Sequence, residues 1–116
     1  MDEAPHTVVE TKAFMAESRR CMTEDERFAA ISMIAADPQC GPRIEGGGGI
    51  RKVRFGIGGR GKRGGVRIVY YYHHAEVPVF LLTVFAKNEK SDLGRVELAA
   101  LAKIATKLAE NYGGAK

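Results

Sequence analysis

No apolar run in the 116-residue chain approaches the roughly 20 residues that a membrane-spanning helix requires. Its first residues, Met-Asp-Glu-Ala-Pro-His, hold no basic stretch followed by an apolar one, so no secretory signal is expected and a cytoplasmic location is. Cysteine is scarce. Cys21 and Cys40 stand 19 residues apart without a Cys-x-x-Cys spacing, which favours two free thiols over a disulfide. His73 and His74 are adjacent, and adjacent residues of an extended chain point to opposite faces. They cannot share one metal ion and no further ligand stands nearby, so no metal is expected, and no other cofactor is expected either. The most telling absence is local: seven cations lie between Arg51 and Arg67 with no carboxylate among them.

The charge is uneven along the chain. Residues 1–45 hold nine acidic and five basic residues, net −4. Residues 46–90 hold two acidic and nine basic ones, net +7, and the last stretch adds +1. Ten of the fourteen glycines fall between Gly46 and Gly65, in the same basic segment. Such an asymmetry points to a polyanionic partner, and to nucleic acid before membrane, because no basic amphipathic helix accompanies it. Phosphate contacts made by these side chains would give affinity and salt dependence but no sequence preference.

Length and a hydrophobic fraction of 45% fit one globular domain over 1–116. A short β-branched stretch predicts a strand near 6–10. Residues 11–22 turn helical, with Phe14, Ser18, Cys21 and Met22 on one face. Thr23-Glu24-Asp25-Glu26 is a capping box opening a second helix, whose stripe is Phe28, Ile31, Ile34 and Ala35 and which ends at Asp37-Pro38. Beyond a loop with four consecutive glycines the period becomes two, and strands are expected at 50–57, 66–72 and 78–86. The last of these is nearly continuous in apolar residues and should be central. A final helix, capped by Ser91 or Asp92, buries Val96, Leu101, Ile104, Ala105, Leu108 and Tyr112 and ends at Gly113-Gly114. The order β-α-α-β-β-β-α is an α+β fold: a small antiparallel-rich sheet, an N-terminal helical hairpin and a C-terminal helix.

Two nucleotide-loop patterns fail on context. Gly56-Ile57-Gly58-Gly59-Arg60-Gly61 fits G-x-G-x-x-G, and Gly56 to Lys62 has the spacing of a phosphate-binding P-loop. Both motifs need a helix N-terminus next, and here a strand follows; Arg63 also stands where the P-loop needs Ser or Thr. What survives is a pliable backbone carrying cations. Tyr70-Tyr71-Tyr72 could offer a base-stacking surface, although alternation sends at least one ring into the core. Arg67 differs from the other cations because it sits inside an apolar strand with Val69 and Tyr71 on its face. Lys87 ends the next strand, so the two can converge at one end of the sheet. Converging cations suit a transition state rich in phosphate charge.

The stretch from Gly59 to Tyr71, with its Gly-Gly-Val-Arg-Ile-Val-Tyr-Tyr strand, and the stretch from Leu81 to Leu93, with Lys87-Asn88-Glu89-Lys90-Ser91-Asp92-Leu93, resemble the RelE/ParE toxin superfamily, with the HigB type as the nearest branch. The resemblance covers roughly 45–110, and the two front helices match the family's order of elements. It implies the RelE-like fold and the toxin of a bacterial type II toxin–antitoxin module. RelE and HigB members are mRNA interferases: metal-independent endoribonucleases that cut mRNA in the ribosomal A site through attack of the ribose 2′-OH on the adjacent phosphate. By that resemblance Arg67 contacts the scissile phosphate, with Lys62 and Lys87 as its catalytic companions. Arg60, Arg63, Arg54, Lys52, Asn88 and Lys90 would bind RNA. Clustered cations disfavour the charged form of a lysine, so Lys62 or Lys87 could move a proton; Glu89 or Asp92 are the alternative acceptors, capping being the simpler role for Asp92. The ParE branch, which poisons DNA gyrase, and a non-catalytic RNA- or antitoxin-binding protein are the competing implications. The implied protein partner is an antitoxin of the helix-turn-helix kind.

Overall fold

In the computed structural model, residues 5–58, 65–90 and 92–112 are described. Strand β1 (Val8–Glu10) is followed by helices α1 (Lys12–Cys21) and α2 (Glu24–Ala36), strands β2 (Ile50–Phe55), β3 (Val66–Tyr71) and β4 (Val79–Ala86), and helix α3 (Arg95–Asn111). The four strands form one sheet in the order β1-β4-β3-β2. Neighbouring pairs β2/β3 and β3/β4 are antiparallel, while β1 runs parallel to β4 with Val8 opposite Val79. This is the expected α+β class, with a mixed sheet.

Helices cover both faces of that sheet. On one face Phe14 and Met22 of the α1 segment and Ala30 and Ile34 of α2 pack against Val66, Ile68, Tyr70, Val79, Leu81 and Val84. On the other, Ala105 of α3 joins Ile50, Val69, Tyr71, Phe80, Leu82 and Phe85. Leu81 and Val84 share a face although they stand three positions apart. The cause is a bulge: Val69 pairs with Thr83 but Tyr70 with Leu81, so Leu82 is an extra residue and inverts the alternation. All six residues of β3 are buried, which places Arg67 inside the molecule rather than on its rim.

The helix starts follow local chemistry. Thr11 accepts from the Phe14 amide at 3.2 Å, and Thr23 and Glu26 exchange bonds as the predicted capping box. For α3 the expectation fails. Its N-cap is Gly94, whose amide donates to Glu97 at 3.0 Å, and Asp92 lies outside the helix; Ser91 and the expected end at Gly113-Gly114 fall outside the described residues. The buried stripes also differ. At about 100° per residue, Phe28 lies roughly 160° from Ala30, and it is 71% exposed. Val96 lies on the opposite side of α3 from Ala105 and is 83% exposed, while Leu98, Ala102 and Ala109 join Leu101 and Leu108 on the inner side. Ile104 and Tyr112 are half-exposed, the Tyr112 ring lying edge-on to Phe80 at 5.3 Å.

Candidate functional site

The cations of β2 and β3 divide by strand parity. Arg51 pairs with Tyr70 and shares its face, whereas Lys52 pairs with Val69 and Arg54 with Arg67, on the α3 face. Phe85 flanks Arg67 from the other side, so Arg54, Arg67 and Phe85 form one row across the sheet. Helix α3 packs on the end of this face that holds Ile50, Tyr71 and Phe80. The Arg54–Arg67 row lies toward the opposite end, where β3 begins. There Lys52, Arg54, Arg67 and Lys87, with Cys40, Pro42 and Val53, line an open cleft of about 610 Å³.

Two glycines make this geometry possible. A Cβ on Gly41 would lie 2.8 Å from the Lys52 carbonyl oxygen, so only glycine lets the α2–β2 connection lie flat against β2. A Cβ on Gly65 would stand 2.0 Å from the Phe55 carbonyl oxygen. Gly65 then accepts from the Lys87 amide at 3.1 Å, which fixes the backbone of Lys87 beside the start of β3. Tyr70 anchors the wall from below: its hydroxyl donates to the Pro38 carbonyl at 2.7 Å and accepts from the Gly41 amide at 2.9 Å. Burial pushes that hydroxyl's pKa above the ordinary tyrosine value.

Arg67 is 7% exposed, and its Nη1 lies 3.4 Å from the Val66 carbonyl oxygen. Directly opposite stands Arg54, a like-charged pair that a sheet ordinarily disfavours. An anion near the two would relieve that repulsion. One is already close. Asp92 Oδ1 accepts from Lys52 Nζ at 2.6 Å and from the Leu93 amide at 2.8 Å. The hydrogen bond from Lys52, then that from Leu93, hold the Asp92 carboxyl below the usual carboxylate range, with the positive charge of Arg67 adding to the effect.

Lys62, Arg60 and Arg63 fall outside the described residues. Asn88 is exposed on the turn after β4. Lys90 pairs with Glu97 and sits 5.2 Å from the centre of the Phe85 ring, and Glu89 pairs with Arg20 of α1 at 3.1 Å. Both line a second cavity, of about 450 Å³, with residues of α1 and α3, and not the cationic cleft. Tyr70 and Tyr71 are core residues, and Tyr72 packs against His6 and Arg51, so the three rings form no stacking surface. Among the described residues no three His, Cys, Asp or Glu side chains group as a metal site would need, and no helix is long and apolar enough to cross a membrane. The Lys52–Asp92 pair and the Cys40–Pro42 wall escaped the sequence reading; only Gly41, a lone glycine before Pro42, hinted at the close approach.

A four-stranded mixed sheet with helices on both faces and Lys52, Arg54, Arg67 and Lys87 gathered at one open end defines a small α+β protein with a cationic cleft. Residues 7–113 match the family described as the RelE toxin of the RelE/RelB toxin–antitoxin system. The match takes in nearly the whole chain, and the protein belongs to the RelE toxin family. It is therefore the toxin of a toxin–antitoxin pair, with an antitoxin as its protein partner.

Proposed function

We propose that this toxin is a metal-independent endoribonuclease of the HigB-like branch that cuts mRNA in the ribosomal A site and so stops translation. The observation that carries this reading is the convergence of Lys52, Arg54, Arg67 and Lys87 on one cleft. In the reaction, the ribose 2′-oxygen attacks the adjacent phosphorus and the bond from phosphorus to the 5′-oxygen breaks. The 2′-OH proton passes to a base and the leaving 5′-oxygen receives one from an acid, leaving a 2′,3′-cyclic phosphate. Negative charge grows on the phosphate oxygens throughout. Arg67 is the residue to stabilise it, because a buried guanidinium is already oriented and presents a planar fork to two oxygens.

Arg54 and Lys52 steer the neighbouring backbone, and Lys87, fixed by Gly65, approaches the scissile bond from β4. Lys62 completes the catalytic set, and Arg60 and Arg63 bind RNA. Asn88 and Lys90 extend the RNA surface past β4. Glu89 is held by Arg20 on the other cavity, away from this site. The antitoxin is a helix-turn-helix protein that silences the cleft.

The deciding experiment incubates the protein with ribosomes programmed with mRNA and maps the message by primer extension. Cleavage within the A-site codon is expected, with gyrase supercoiling unaffected. Intact message with blocked supercoiling would transfer the protein to the ParE type. Intact message with retained RNA binding would leave a non-catalytic binder.

A further inference from the structure

One cation of the cleft, Lys52, already holds a carboxylate, that of Asp92. We propose that Asp92 is an internal occupant of Lys52, one of the cations lining the phosphate-binding cleft: its carboxylate holds that lysine at rest, must be displaced when a backbone phosphate takes it, and so sets the affinity of the site. The inference rests on the phosphate-binding part of the function proposed above and goes beyond it.

Three observations converge. First, Asp92 has no task in starting α3. Gly94 is the N-cap and Glu97 reaches back to its amide, so the helix begins without the Asp92 side chain. Second, the carboxylate bridges distant parts of the chain, from the β4–α3 connection to Lys52 of β2, at 2.6 Å. Lys52 lines the same cleft as the Arg54–Arg67 pair. A carboxylate and a phosphodiester present alike to a lysine: each offers an anionic oxygen at hydrogen-bond distance. They cannot both take Lys52 without facing each other as like charges. Third, the arrangement permits release. The Asp92 side chain is 60% exposed while that of Lys52 is 27% exposed, so the acid can turn to water and the lysine stays in the cleft. An ion pair this open to solvent is weak enough for a ligand to break.

Asp92 thus differs from Glu89 and Glu97, whose pairs with Arg20 and Lys90 lie around the other cavity. The cation cluster is stored with its counter-charge attached, and RNA exchanges one anion for another.

The test measures binding of a 2′-deoxy-substituted, uncleavable RNA oligonucleotide, and separately of inorganic phosphate, to the full chain and to Asp92→Asn. Asp92→Ser serves as a second variant, since its hydroxyl can still accept from the Leu93 amide. Both variants are expected to bind each ligand about two- to fivefold more tightly, the worth of one exposed ion pair. In the unmodified protein the Leu93 amide resonance should shift on ligand addition toward its position in the ligand-free Asp92→Asn protein. Equal or weaker binding by both variants, or a Leu93 resonance that does not move, overturns the proposal. A chain that binds and cuts no RNA yet takes up phosphate more tightly as Asp92→Asn would keep the internal occupant and remove the ribonuclease reading.

Discussion

Arg51 and Arg67 are the two buried arginines of the described sheet, on adjacent strands and almost equally hidden, at 8% and 7% exposure. Their guanidinium groups serve opposite ends. Arg51 lies on the Tyr70 face and donates to the Gly41 carbonyl at 2.7 Å, with the Gln39 carbonyl at 3.5 Å and the Tyr72 ring 6.0 Å away. It ties the α2–β2 connection to the sheet. Arg67 lies on the other face, across from Arg54 and beside the cleft. Burial of a charge is tolerated in the first case because backbone oxygens neutralise it. In the second the guanidinium stands across from another cation, Arg54, with the Val66 carbonyl oxygen at 3.4 Å and the Asp92 carboxylate near enough to feel its charge. Equal burial therefore says nothing of purpose. Strand parity separates them: Arg51 faces the side that carries α1 and α2, and Arg67 faces the proposed RNA-binding side.

Replacing each arginine in turn is the strongest way to break this comparison. Arg67→Ala should lower cleavage of ribosome-bound mRNA about 10²- to 10³-fold, the usual effect of losing one charge-stabilising donor, while a cooperative melt persists. Arg67→Lys should recover part of it, since a point charge replaces a fork. If Arg67→Ala abolished cooperative melting, both arginines would be scaffold. Arg51→Ala should do the reverse. Losing a charged hydrogen bond to a buried carbonyl costs about 1.5–3 kcal/mol in denaturant unfolding, with cleavage falling only as the folded fraction falls. Full stability with lost cleavage would move Arg51 to the working side.

A smaller effect separates the faces by pH. Glu26 of α2 accepts from the Thr23 amide at 2.8 Å and from the Gly58 amide at 2.9 Å, so one carboxylate caps the helix and anchors the chain after β2. These two bonds, Thr23 first, hold its pKa below the ordinary value. A carboxyl depressed in the folded state stabilises it above the unfolded pKa, about 4.3, and loses that contribution as pH falls through the lower folded value. Thermal melts should therefore show a Glu26 contribution at pH 6 that fades below about pH 4, and Glu26→Gln should flatten that part of the acid limb. An unchanged limb would mean that Glu26 does not hold both amides in solution.

Much of the scaffold was legible because its signals are local. The capping box at Thr23, the apolar run of β4 and the placement of Arg67 with Val69 and Tyr71 need only near neighbours. The cleft was half legible. Alternation placed Arg67 with Val69 and Tyr71, and the short β3–β4 connection brought Lys87 toward it, but that Lys52 and Arg54 share this face needed the β2–β3 register. Asp92 was misread because its partner is 40 residues away and an acid before a helix looks like a cap. The wall of Cys40 and Pro42 was not legible, because it depends on how the α2–β2 connection folds back over β2. The outward turn of Val96 was missed for a related reason: an apolar residue two positions before Leu98 has the right type and the wrong angle.

Phe28 makes that last point testable on the scaffold side. The stripe Phe28, Ile31, Ile34 reads as a buried face, yet α2 is oriented by Ala30 and Ile34, which pack on Val66, Ile68 and Tyr70. With Ala30 pointing inward, helical geometry sends Phe28 outward, and its 71% exposure follows. Phe28→Ser should then change unfolding free energy by no more than about 0.5 kcal/mol, as for surface substitutions, whereas Phe14→Ala on the inner side of α1 should cost about 3–5 kcal/mol. A loss near the Phe14 value would show that the ring is covered in solution, and the scaffold would then extend beyond the side of α2 that meets the sheet.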